Sequence, residues 1–145
     1  MDFSYAAAIS SSGMDVERAR LDASAINLAN IHTSRTPDGG TFRPFRVVSG
    51  IVAVPAFSGS MRSAAGPISG ARVIDIQPTN APPRLAFEPG HPDADAKGFV
   101  AYPGVDTTVE MVNLMTAVRS YEANVIAMNA AKSMALKALE IGGNP

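Results

Sequence analysis

The side chains able to do chemistry are few and scattered. The chain of 145 residues has two histidines, His32 and His91, and no cysteine. Without cysteine there is no disulfide, no thiolate zinc site and no thiol nucleophile. His91 stands near Asp93, but two donors without a defined third do not make a metal site. Asp93-Ala94-Asp95-Ala96-Lys97-Gly98 begins like a calcium loop, with carboxylates at loop positions one and three and glycine at six. The pattern then fails. Lys97, a cation, stands where the next oxygen ligand belongs, and Gly104 stands where the bidentate glutamate belongs. A solvated turn is the expectation. No Gly-x-Ser-x-Gly elbow, phosphate-cradling Walker loop or dinucleotide fingerprint occurs. The sequence therefore supplies no catalytic, cofactor-binding or metal-ligating residue, and enzyme activity is not expected.

Charge excludes a second class. Twelve basic residues face thirteen acidic ones. The cations are dispersed from Arg18 to Lys137 without a convergent stripe, so nucleic-acid binding by counterion release is not expected. Charged residues make up 17% of the chain and hydrophobic ones 46%, against about 25% charged in an average soluble domain. A small, nearly neutral chain with so few charges is prone to self-association. Part of its surface is expected to be covered by something else.

The elements follow from spacing. Residues 3 to about 32 hold no proline and one glycine, Gly13. Ile9, Ser12, Val16, Ala19, Ala23, Ile26 and Asn30 alternate steps of three and four, a heptad stripe on a helix. Met14, Leu21 and Leu28 form a second line, about 140° round the helix. Asn27 and Asn30 lie one turn apart near its end. Either they fray the C-terminus, or Asn30 is buried and fixes register as a polar coiled-coil residue does.

A proline-glycine turn, Thr36-Pro37-Asp38-Gly39-Gly40, then introduces a β-rich middle. Strands are expected at Phe45–Phe57, around Val73–Ile76, at Arg84–Glu88 and at Phe99–Tyr102, with a flexible loop over 58–70. From Asp106 to Ile141 there is no glycine or proline. Thr107 followed by Glu110 matches a capping box, and Gly142-Gly143 marks the stop. Met111, Leu114, Val118, Tyr121, Val125, Met128, Lys132, Ala135 and Leu139 keep three-four spacing over this second helix. A rod of about 50 Å does not fold back into a ball with a radius of gyration of ~15 Å. Val112, Met115 and Ile126 remain in need of neighbours.

The expected fold is mainly α with a small β insert. Long N- and C-terminal helices pair in an elongated, coiled-coil-like domain, and the central domain is β-rich. The division is 1–34 for the first helix, 35–105 for the centre and 106–145 for the second helix. Residues 1–17 carry no Lys or Arg, and Ala6-Ala7-Ala8-Ile9 runs into three serines, so no cleaved secretory leader is expected. The apolar stretch Val47–Phe57 is broken by Ser49, Gly50 and Pro55, and is too short to span a bilayer.

The chain ends resemble those of the bacterial flagellar axial proteins, the rod, hook and filament-junction subunits. The first helix closes on Asn27-Leu28-Ala29-Asn30 and then Thr33, as in that family, with Ile26 and Ile31-His32 as mild departures. Three further segments resemble the proximal rod subtype. They are Thr36-Pro37-Asp38-Gly39-Gly40, the run from Glu88 through Pro103, and Ser120-Tyr121-Glu122-Ala123-Asn124 through Lys137. The resemblance implies a structural subunit of the proximal rod, a drive shaft that transmits torque and surrounds an export channel. It implies copies of itself and other rod subunits as partners, a rod-to-membrane-ring adaptor, and leaderless passage through the flagellar type III export apparatus into a periplasm-spanning rod. The competing readings are a generic coiled-coil adaptor and another axial position, such as a distal rod or hook-junction subunit.

The residues expected at the assembly interface are Ile9, Val16, Leu21, Ile26, Asn27, Leu28 and Asn30 in the first helix. In the second they are Met111, Leu114, Val118, Tyr121, Asn124, Val125, Met128 and Leu139.

Overall fold

A computed structural model describes residues 3–37, 39–53 and 69–142. The chain is helix-dominated and mixed. Helix α1 spans Phe3–Ala29, strands β1 to β4 span Phe45–Ala53, Ser69–Pro78, Arg84–Phe87 and Phe99–Tyr102, and helix α2 spans Thr107–Gly142. β1 pairs with β2, and β3 pairs antiparallel with β4 in a separate two-stranded sheet. Among the described residues no helix is long and apolar enough to cross a membrane.

Two expectations are corrected. The flexible loop expected over 58–70 gives way at its end, because Ser69 and Gly70 already belong to β2 and Gly70 is buried. Residues 54–68, the rest of that loop and the expected end of β1, lie outside the described residues. The cap of α2 is also not the expected Thr107–Glu110 box. Asp106 accepts hydrogen bonds on Oδ1 from the amides of Thr108 (2.8 Å) and Val109 (3.3 Å). An aspartate just before the first turn is the stronger cap, because its carboxylate meets two orphan amides in the positive field of the helix N-terminus. Glu110 is thereby left available for another partner.

The chain forms two compact units. Among the described residues, one gathers 3–19, 48–53, 69–75 and 117–142, and the other gathers 20–37, 39–47 and 76–116. In the first unit the buried residues include Ser10, Val16, Ala117 and Ala131. In the second they include Ala23, Ser24, Asn27, Val100, Tyr102 and Pro103. Most of these side chains are small, which permits close approach of the elements they face.

Candidate assembly surfaces

In the second unit, Asn27 does most of the joining. It is 1% exposed. Its Oδ1 accepts the Phe45 amide at 2.8 Å, and its Nδ2 donates to the Phe45 carbonyl at 3.0 Å. The side-chain amide thus pairs with the Phe45 backbone as a neighbouring strand would, and fixes the start of β1 on the last turn of α1. Nδ2 also donates to Glu110 Oε1 of α2 at 3.2 Å. Asn27 is itself buried, so losing these part-buried bonds leaves its amide and the Phe45 backbone groups short of partners.

Asn30 has a different task. Its Nδ2 donates to the Ile26 carbonyl at 2.9 Å and its Oδ1 accepts from Thr33 Oγ1 at 3.1 Å. It is half-buried and closes the helix end. The expected burial of Asn30 is corrected: Asn27 is the buried member, and Asn30 holds the helix end by hydrogen bonds rather than fraying it.

The first unit explains the lone glycine of α1. A Cβ at Gly13 would come within 2.9 Å of the Asn124 side-chain amide, whose Nδ2 donates to the Ser120 carbonyl at 2.9 Å. Gly13 is the gap into which Asn124 fits. In the same unit the Ala71 amide donates to Ser12 Oγ at 3.1 Å and ties the start of β2 to α1.

The expected interface residues divide by burial. Val16 and Asn27 are buried, and Leu21, Leu28 and Asn30 are half-buried on α1, as are Leu114, Val118, Asn124, Val125 and Met128 on α2. Ile9 and Ile26 are exposed on α1, and Met111, Tyr121 and Leu139 on α2. Ser10 and Ser24 are buried without standing on either stripe, and Gly13, Glu110, Ala117 and Ala131 take seam positions although they are not in the expected interface set. At 100° per residue, Glu110, Leu114, Ala117, Asn124, Met128, Ala131 and Ala135 lie along one side of α2, the side that is buried or half-buried. Val112, Met115 and Ile126 lie near the opposite side and are 56%, 57% and 68% exposed.

The β3–β4 hairpin of the second unit is also two-faced. Val100 and Tyr102 point inward and are buried. Leu85, Phe87 and Phe99 are exposed, with the two phenyl rings packed edge-on at 5.3 Å across a register that pairs them. Gly98 has φ +82, and a Cβ there would meet the Phe87 ring at 2.9 Å.

Beneath the hairpin, the Tyr102 hydroxyl donates to Glu88 Oε2 at 3.0 Å. That hydrogen bond, then burial, then the negative charge of Glu88 hold the hydroxyl above the usual phenol range. Both histidines pack edge-on against this ring, His32 at 6.2 Å and His91 at 6.3 Å. Arg84 stands 5.7 Å over it.

Asp93 accepts from Ser34 Oγ at 2.7 Å and lies 3.9 Å from Arg35. Asp95 Oδ1 accepts the amides of Lys97 and Phe99, both at 2.8 Å. The carboxylates that began the calcium-like pattern thus organise a turn and its attachment to residues 34–35. Among the described residues no group of three or more metal-ligating side chains converges.

Comparison with known proteins places the chain among flagellar rod proteins. The family described as flagellar basal body rod FlgEFG protein C-terminal matches residues 96–141, which hold β4 and nearly all of α2. The chain is 43% identical over 134 residues to the flagellar basal-body rod protein FlgC of Escherichia coli, covering 92% of this chain and 93% of that one. It is 42% identical over 134 residues to the FlgC of Yersinia enterocolitica, with the same coverage. To the FlgC of Bacillus subtilis it is 41% identical over 141 residues, covering 92% of this chain and 94% of the relative.

Proposed function

This chain belongs to the FlgC family of flagellar basal-body rod proteins, and from that premise we propose that it works in the proximal rod as a torque-bearing subunit whose terminal helices pack against neighbouring subunits. It is a structural subunit of the flagellar basal-body rod. Its partners in this reading are copies of itself, other rod subunits and a rod-to-membrane-ring adaptor. The type III export apparatus delivers it to the rod. No catalytic step is assigned to it.

The observation that carries the reading is the outer face of α2. Met111, Val112, Met115 and Ile126 are all more than half exposed. Apolar side chains on the side of a helix away from its own seam stabilise the chain only when a further surface covers them. Coiled-coil-like pairing of the terminal helices is supported separately in each unit, by Gly13 against Asn124 and by Asn27 bonded to Glu110. In this account residues 1–34 and 106–145 form the inner, tube-forming domain around the export channel, and 35–105 the outer β-rich domain.

Torque passes through such an assembly because close-packed interiors yield little under load. Head-to-tail contacts between unlike surfaces build a helical stack rather than a closed ring. The expected interface set serves two purposes in this reading. Val16, Asn27 and Asn124 set the seam within a subunit, and Met111, Tyr121 and Leu139 face neighbours.

The test is deletion and complementation. Cells without the gene should lack rods and motility, and a tagged copy should restore both and co-purify with basal bodies. Motile cells lacking the gene would refute the reading.

A further inference from the structure

We propose that Met111 and Met115 form an oxidation site that controls whether the subunit enters the rod, an inference that rests on the assembly role of the outer face of α2. The two thioethers lie one helical turn apart in the second unit, with Val112 between them. Met111 is 56% exposed and Met115 57%. Met14 and Met128 are half-buried, so they are shielded where Met111 and Met115 are open. With no cysteine in the chain, thioethers are its only sulfur targets for a peroxide.

The step balances. A thioether lone pair attacks one peroxide oxygen, the S–O bond forms and the O–O bond breaks. Sulfur loses two electrons, the peroxide is reduced, and the departing hydroxide takes the proton from the sulfur-bound oxygen and leaves as water. The sulfoxide is polar and chiral, and a reductase can reverse it. On a surface that packs dry against a neighbour, two such groups bring dipoles with no partner. On the free subunit they face water and cost little. Oxidation therefore blocks association while leaving the fold of the separate chain intact.

The experiment has two arms. Purified chain and isolated basal bodies are treated with limiting hydrogen peroxide, and each methionine is followed by peptide mass spectrometry. In the free chain Met111 and Met115 should convert several-fold faster than Met14 and Met128. In basal bodies they should be protected several-fold relative to the free chain. Met111→Gln/Met115→Gln, with a polar group of sulfoxide-like size, should retain its helix content and export but fail to enter rods. Met111→Leu/Met115→Leu should enter them normally and should still do so after peroxide treatment, although Met134 remains exposed and oxidisable.

Equal oxidation of Met111 and Met115 in rods and in the free chain would overturn the inference while leaving rod membership intact. Normal rods built from the Gln variant, or loss of incorporation by the peroxide-treated Leu variant, would also overturn it. Absence of the chain from basal bodies would overturn both the inference and the function beneath it.

Discussion

The two long helices bury alike and face outward differently. On both, the inward side mixes small or polar residues with larger apolar ones: Ser10, Gly13, Val16, Ala23 and Asn27 on α1, and Leu114, Ala117, Asn124, Met128 and Ala131 on α2. On α1 the side opposite the seam carries exposed Asp15, Arg18 and Asp22. On α2 the corresponding side carries Val112, Met115 and Ile126, with exposed Arg119 between Val112 and Ile126 on the same line. α1 is finished as a water-facing helix on that side, because ionised groups keep their hydration there. α2 leaves larger apolar side chains open to water on that side. In the proposed assembly, this contrast gives α2 the larger exposed apolar face, while α1 offers Ile9 and Ile26.

The largest effect that would break this contrast is loss of function without loss of fold. Ile126→Asp should abolish motility and rod completion, while the purified chain keeps its stability to within about 0.5 kcal/mol, as exposed substitutions do. Asp22→Ala on α1 should swim normally. Equal phenotypes from the two variants in a soft-agar motility assay would erase the distinction.

Asn27→Leu comes next, and acts within the subunit. It leaves the Phe45 amide and carbonyl without partners beside a buried apolar group. The expected cost is about 2–4 kcal/mol in urea unfolding. Gly13→Val should follow, at about 1–3 kcal/mol, because its side chain occupies the space of the Asn124 amide. Asn124→Gly in the same chain should recover part of that loss, and additive effects would show that the two do not touch.

The smallest effect concerns the hairpin. Tyr102 should titrate above the usual phenol value of about 10. Its hydroxyl is favoured neutral in the folded state, so its contribution to stability is complete below the unfolded value. That contribution is lost as pH rises through the higher folded value. Glu88→Gln removes the neighbouring charge and should lower the Tyr102 midpoint, read from phenolate absorbance during an alkaline titration.

Much of the fold is legible in the sequence because punctuation and spacing are local. α2 begins at Thr107 as the glycine- and proline-free run requires, and β4 occupies Phe99–Tyr102 as expected. The β3–β4 turn follows from Asp95 and the left-handed Gly98. The seam was harder to read. Period tells that α1 and α2 have apolar faces, but not which face meets the same chain and which meets another. Large residues such as Ile9, Ile26 and Met111 draw the eye to the heptad stripe, yet all three are exposed, and Gly13 and Ala117 permit the closer approach. A glycine within 27 helical residues was the available signal, since it costs about 1 kcal/mol relative to alanine and calls for a packing reason. Asn27 was visible as part of a motif, but its pairing with Phe45 depends on a partner eighteen residues on. The Thr107–Glu110 spacing matches a capping box, but Asp106 one position earlier takes the cap, because its carboxylate accepts the Thr108 and Val109 amides.

Site-specific photocrosslinking in assembled basal bodies tests the central claim most directly. A photoreactive residue in place of Ile126 should join the subunit to a second rod chain, and the same residue in place of Asp22 should give little or no such product. Cross-links from position 22 with none from position 126 would contradict the account and place the assembly surface on α1.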